Sequence, residues 1–396
     1  MANGKDQVDQ NALAAEWGLS LDDGAKTGAA EGAATGEGND AAAQQWAASV
    51  DETPSFGGAK SSNSTTTLKL GYVTTPQHPY GIVLDEFAKN VDTLSKGQLK
   101  IQNLPNYPGG DAALLSDVRG GAVPMASVSA SQWDTFGVKT FQALQAPFLI
   151  TNYQLESKVI GGPIAKKMLS SPQGPAKLGL VGLAIHEGGL RKPLGAKSPL
   201  AKPSQFKGKK LRAPPSVVLA TGLRALGADP SPIAVTEVYQ ALQNGTVDGM
   251  EANLGLIQTN KYYEVAKYVT GNVNLWPFPT ILTVNKKAWD KLSSQQQNWI
   301  KQAAAKVPQE SMNVFLKPAP TAPNFTKELC SEGMTFVSAS KADIAALVAK
   351  ARPAYTSLEK NPQVKSFVQQ IQALKKTTAL PPPPPPLPKG CKSMNQ

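Results

Sequence analysis

Arg212 is the residue of this chain best placed to do chemistry on a small anion. In the run Lys209 to Ala213, strand alternation puts Leu211 on one face and Lys210 and Arg212 on the other. Pro214-Pro215 ends that strand, and a helix is predicted from about Val217 to Leu226, closing on Gly227. Arg212 thus stands near the mouth of a strand-to-helix junction. There a planar guanidinium with five donors can grip a carboxylate through two parallel hydrogen bonds. Other polar candidates follow predicted strands at the ends where open α/β sheets bind ligands: Gln77 and His78 after the first strand, Ser129, Ser131, Gln132 and Trp133 after the third. His78 reads first as a structural or surface histidine, and Arg191, in GLRKPLG, as a basic loop residue that either faces water or turns to the site.

Catalysis has no comparable starting point. The chain lacks His-Glu-x-x-His, Gly-x-Ser-x-Gly and a phosphate-cradling loop, and its only histidines are His78 and His186. No pair of carboxylates stands out, so a non-enzyme without cofactor or metal is expected. Cys330 and Cys391 are too few for a metal site. They either pair, stapling the C-terminal tail to the body, or stay free.

A length of 396 residues predicts two or more domains, and 41% hydrophobic with 17% charged residues suits a globular protein with sizeable cores. No run of eighteen apolar residues is present, and the N-terminus lacks the basic start and apolar stretch of a secretory signal. Removal of a signal, a misassigned start and a cytosolic protein are all compatible with that. The net charge of +11 is uneven: residues 1–60 hold three Lys against ten Asp and Glu, so the remainder is strongly basic. A basic body suggests anionic partners, namely acidic solutes, anionic surfaces or nucleic acid. Aromatics at 7% and the lack of an arginine-rich run argue against a nucleic-acid groove.

The elements that must position these residues alternate in the α/β manner. A strand at Leu68–Val73 leads through the loop Thr74–Pro79 into a helix at Tyr80–Leu94, where Val83, Leu84, Phe87, Val91 and Leu94 recur at helical spacing. Strands follow at Leu99–Gln102, Met125–Ser131 and Leu178–His186, with a helix at about Asp111–Arg119 and Thr151-Asn152 ready to cap another. Gly188-Gly189 offers a bend between lobes. The strand Thr280–Asn285, a helix from Ala288 to about Ser311, a last strand at Cys330–Val337 and helices over Lys341–Leu374 complete the body. Residues 1–67 read as disordered or a tether, and six consecutive prolines at Pro381–Pro386 as a stiff spacer or a ligand for a proline-binding module.

Four segments stand in order over a short stretch: Phe206-x-Gly208-x-Lys210-Leu211-Arg212-x-Pro214, Ala225-Leu226-Gly227-Ala228-x-Pro230-x-Pro232, Glu237-Val238-Tyr239-x-Ala241-Leu242-Gln243-x-Gly245 and Val247-Asp248-Gly249-x-Glu251. Together they resemble the solute receptors of tripartite ATP-independent periplasmic (TRAP) transporters, the C4-dicarboxylate-binding type. The resemblance covers about Leu68 to Lys376. It implies an α/β fold of two lobes like the periplasmic binding proteins, with an interlobe ligand cleft and a long helix spanning both lobes. Lobe one would be 68–188 plus 278–318 and lobe two 189–277 plus 319–376, with 1–67 a tether and 377–396 a proline-rich tail outside. It further implies Arg212 as the carboxylate clamp, Arg191 as a second cation and Glu251 as a contact. The family commonly has Asn after Asp-Gly-x-Glu; Ala252 stands there, so Asn253 supplies that hydrogen bond after a local shift or it is missing. Pro124 likewise replaces a usual acidic residue. The expected protein is a monomeric extracytoplasmic receptor that hands a small organic acid to TRAP membrane subunits. A surface-tethered interaction protein that keeps the fold without binding solute is the alternative, and a binder of anionic polymers a third.

Overall fold

The computed structural model describes residues 65–318, 323–381 and 385–396. The chain first lays down β1 (Thr66–Gly71), β2 (Leu99–Leu104), β3 (Met125–Ser129) and β4 (Leu180–Glu187). It crosses to a second sheet for β5 (Lys192–Gly195), β6 (Lys210–Ala213), β7 (Asp229–Pro232), β8 (Gly249–Ala252) and β9 (Tyr268–Thr270), and returns for β10 (Pro279–Asn285). β11 (Thr335–Ser338) and β12 (Lys392–Asn395) finish the second sheet. The result is a five-stranded sheet in the order β2-β1-β3-β10-β4 and a seven-stranded sheet in the order β12-β11-β9-β5-β8-β6-β7.

Local chemistry explains the first unit. β1 begins at Thr66, two residues earlier than expected, and buries Leu68 and Leu70. His78 caps the helix Pro79–Ser95, its Nδ1 accepting from Tyr80 N, with Pro79 at the first helical position, where no amide donor is needed. Val83, Leu84, Phe87 and Val91 face the sheet, and burial of each such side chain contributes roughly 1.5–3 kcal/mol. The returning strand β10, set between β3 and β4, runs antiparallel to both and is buried along its whole length. As read from sequence, Asn152 caps the helix Tyr153–Ile160 by accepting from Leu155 N.

The helices after β10 depart from expectation. Ser294–Leu316 starts on a capping box in which Ser293 Oγ accepts from Gln296 N and Gln296 Oε1 accepts from Ser293 N. It packs along lobe one, on Pro79–Ser95 and β4, with Ile300, Ala303, Ala304 and Val307 in that core. Contact with both lobes is made by Lys341–Leu358, which buries Leu347 and Ala351 in a lobe-two cluster and Leu358 in a lobe-one cluster. The helix Pro362–Thr377, expected with lobe two, then places Val364, Phe367, Val368 and Ile371 in lobe one. Its amphipathic stripe carries no mark of which lobe it serves.

The end of the chain is not a free spacer. β12 pairs in parallel with β11 at the edge of the second sheet, and Cys391 is bonded to Cys330 with a Cα–Cα separation of 4.8 Å. Gln205 Nε2 donates to Gln396 Oε1, and Gln396 N to Ser338 O.

Candidate functional site

Where the chain passes between the sheets, its two crossings lie side by side. Arg191 N donates to Trp276 O at 2.8 Å and Leu275 N to Arg191 O at 2.9 Å, while Gly188 N reaches Phe278 O at 3.1 Å. Glu187 ties both crossings together, its Oε1 accepting from Gly189 N at 2.6 Å and Phe278 N at 2.9 Å. Gly189 needs to be glycine on two counts. Its φ is 122°, and a Cβ there would stand 2.8 Å from that of Asn253.

Beside these crossings a cavity of about 50 Å³ opens between the lobes. Lobe one contributes Val73, Thr74, Asp111, Ser129 and Gln132, and lobe two Arg212, Pro214, Pro215, Val235 and Leu256. Arg191 and Phe278, from the two crossings, complete the wall. A broader pocket of about 430 Å³ shares Val73 and Val235 with it and is lined by polar groups including Asn106, Thr236, Thr259 and Asn260.

Both arginines are buried, and their hydrogen bonding differs. Arg191 is held by Glu251: Nε donates to Oε2, Nη2 to Oε1 at 3.0 Å and again to the Glu251 carbonyl at 2.8 Å. Its guanidinium also lies over the Phe278 ring, 4.8 Å from the centroid. Arg212 sits in β6, and its Nε donates to Ile233 O at 2.9 Å. No acceptor among the described residues meets its two terminal NH2 groups. Burial lowers its pKa to about 10, so it stays charged at neutral pH.

Opposite, Asp111 fixes the end of β3. Its Oδ1 accepts from Ser129 N at 3.1 Å and its Oδ2 from Ser129 Oγ at 2.8 Å. Burial raises its pKa, against the Ser129 bonds and the positive charge of Arg212, which lower it. Thr74 Oγ1 is buried at the same cavity with no partner among the described residues.

The sequence profile of bacterial extracellular solute-binding proteins, family 7, matches residues 70–361, well over half of the chain. The chain belongs to that family. Among curated relatives, the C4-dicarboxylate-binding periplasmic protein DctP of Rhodobacter capsulatus is 33% identical over 242 residues, 60% of this chain and 70% of the relative. The 2,3-diketo-L-gulonate-binding periplasmic protein YiaO of Escherichia coli is 28% identical, over 60% of this chain and 71% of its own. Among solved structures, the sugar acid binding protein DctPAm of Advenella mimigardefordensis, in complex with galactonate, superposes with a TM-score of 0.73 at 28% identity, covering 80% of this chain and all of that one. A TRAP periplasmic solute-binding protein of Polaromonas sp. JS666 bound to D-erythronate gives 0.71 at 28% identity, covering 78% of this chain and 99% of that one. The reading as a TRAP-type solute receptor on a two-lobe α/β frame is therefore borne out.

Within this family-7 receptor the predicted site residues scatter. Arg212, Arg191 and Ser129 come together at the cavity. Trp133 does not: it is fully buried in the lobe-one core, edge-on to Phe141, with Nε1 donating to Val128 O, because the short helix Ala130–Thr135 turns it inward. Gln77 is exposed on the loop before His78. His78 is buried, and its Nε2 donates to Asn253 Oδ1 at 3.1 Å across the lobes, since its Nδ1 already accepts from Tyr80 N and Asn253 Oδ1 also accepts from Leu256 N. Desolvation lowers the His78 pKa to about 3 and keeps the ring neutral. Asn253 is thus committed to capping the helix Leu254–Thr259, and Glu251 to Arg191. Asp111 and Thr74 were missed. An acidic residue opening a helix reads as a cap, and only the register of β1 against β3 brings that helix to the cleft.

Proposed function

We propose that this receptor captures a small organic acid outside the cytoplasm by seating its carboxylate on the terminal NH2 groups of Arg212. The observation that carries the reading is the contrast between a buried, charged guanidinium with two unmatched donor groups and the cavity in front of it. Burying such a charge is costly unless it is paired, and an arriving carboxylate supplies the pair in bidentate geometry. Relatives described as binding galactonate and D-erythronate support an acid as the guest. Arg191 acts behind Arg212 by shaping the wall, with Glu251 as its counter-ion. Ser129, Thr74 and Gln132 meet the remainder of the solute from lobe one.

The paired crossings at 188–191 and 271–278 serve as the hinge, so a solute touching both lobes stabilises the closed arrangement. The protein works as a monomer that docks on TRAP membrane subunits, and it is a receptor rather than an enzyme. No helix among the described residues is long and apolar enough to cross a membrane. The alternative, a fold that has lost its solute, is disfavoured by the retained, unsatisfied Arg212. Thermal-shift screening against organic acids tests the proposal. A binder raises the melting temperature with concentration in the parent chain and loses that effect in Arg212→Ala, whereas a panel without any response would overturn it.

A further inference from the structure

We infer that the site selects hydroxylated monocarboxylates over dicarboxylates and that Asp111 sets this choice. The inference rests on the carboxylate-binding reading above and deepens it. Two cations reach the inner cavity, Arg191 and Arg212. Arg191 is spent: Glu251 occupies its Nε and Nη2, and Phe278 covers its face. Arg212 alone has no carboxylate bonded to it among the described residues, and its two terminal groups are enough for one carboxylate.

A second carboxylate on the same guest would find the Arg191 charge already countered by Glu251. It would instead approach Asp111, which lines the cavity and whose carboxylate is held in place by Ser129 N and Oγ. Each Asp111 oxygen accepts one bond from Ser129 and keeps a lone pair for another donor. A guest hydroxyl can give its proton there; a carboxylate has none to give and is repelled. Thr74 Oγ1, buried at the cavity with no partner among the described residues, is free to donate to or accept from a hydroxyl. The outer pocket continues the pattern with Asn106, Thr236, Thr259 and Asn260. Its one cation, Lys261, shares the wall with Glu264, so it supplies no net positive charge for a distant second carboxylate.

Calorimetry on the full chain with chain-length-matched acids tests this: D-erythronate, succinate and butyrate, then galactonate, adipate and hexanoate. The aldonate of at least one set should bind roughly tenfold or more tightly than its dicarboxylate and its plain monocarboxylate, a difference of about 1.4 kcal/mol per tenfold. Asp111→Asn should shrink the preference for aldonate over dicarboxylate by about tenfold, with an unliganded melting curve confirming that the variant folds. A dicarboxylate that binds the parent chain as tightly as the matched aldonate overturns the selectivity and leaves the receptor reading standing. Equal binding of butyrate or hexanoate overturns the hydroxyl requirement, and an unchanged preference in Asp111→Asn removes Asp111 from the role. If Asp111→Asn does not fold, Asp111→Ala is read in its place, and the parent panel still decides the selectivity. Silence from all six acids, together with silence from the wider acid screen, would sink the receptor reading itself.

Discussion

Arg191 and Arg212 sit at one cavity, in one lobe, each only 2% exposed, and do different work. Arg191 is closed by its counter-ion: Glu251 takes Nε and Nη2 through its carboxylate and carbonyl, and Phe278 covers the guanidinium face. Arg212 is open, with only Nε bonded among the described residues, to Ile233 O. Burial and charge therefore do not separate the two arginines; the existing counter-ion does, since Arg191 already holds a carboxylate and Arg212 turns its terminal groups to the cavity without one.

The contrast is broken most forcefully at the closed end. Arg191→Ala leaves Glu251 buried and unpaired, which should lower stability by about 3–5 kcal/mol in chemical denaturation. The double change Arg191→Met with Glu251→Leu removes both charges and should recover most of that loss. A single variant as stable as the parent would mean that Arg191 is not structural and that the comparison fails.

At the open end the effects invert. Arg212→Ala should weaken binding of an acid by about 2–5 kcal/mol, roughly thirtyfold to several thousandfold. Its stability should fall by only about 1 kcal/mol, for the bond to Ile233 O. Calorimetry and a melting curve on the same sample read both quantities. A large loss of stability with little loss of affinity would exchange the two roles.

Acid sharpens the comparison further, because Arg212 keeps its charge whether the chain is folded or not, while the buried histidines are neutral in the folded protein and take up a proton on unfolding. His186 lies between Ser127 Oγ at 2.7 Å and Thr280 Oγ1 at 2.8 Å, and burial lowers its pKa to about 3. The folded-state value lies below the ordinary one near 6.5, so the unfolded chain binds the proton first as pH falls. Stability from the neutral ring is complete above about pH 6.5 and is lost as pH drops toward 3. The stability difference between the parent and His186→Gln should thus be about 2 kcal/mol smaller at pH 5 than at pH 7. Asp134, which accepts from Ser216 Oγ across the lobes and is raised to about 7 by burial, has the opposite sign: its stabilisation is lost as pH rises toward 7. It acts on parent and variant alike and cancels in the difference.

Much of this frame was legible in the chain. Leu68, Leu70, Val83, Leu84 and Phe87 carry their period openly, and Pro214-Pro215 with Gly227 marks where β6 ends and the next helix stops. The place of Arg212 at the cavity was legible because its strand-to-helix junction is local. What stayed hidden depends on contacts distant in sequence. The commitment of Glu251 to Arg191 spans 60 positions and that of Asn253 to His78 spans 175, so neither could be subtracted from the list of free polar groups. Trp133 failed for the converse reason: the end of a strand offers one side chain to the cleft and the next to the core, and the turn at Ser129 chose Ser129 and Gln132 for the wall. The pairing of Cys330 with Cys391 required the tail to return as β12, which polyproline stiffness alone does not foretell.

The smallest expected effect tests how sharply position separates neighbours. Gln77 and His78 are adjacent on one loop and were grouped together by sequence, yet one is exposed and the other has no exposed surface. Among the described hydrogen bonds Gln77 contributes no side-chain contact and it lines neither pocket, so Gln77→Ala should change stability by less than about 0.5 kcal/mol and leave the affinity for any acid within twofold, at the limit of calorimetric precision. His78→Ala in parallel removes the cap on Pro79–Ser95 and the interlobe bond to Asn253, and should cost about 1–3 kcal/mol. Should Gln77→Ala weaken binding tenfold, the loop must fold inward over the solute when the lobes close, and Gln77 would belong to the cavity wall rather than to the surface.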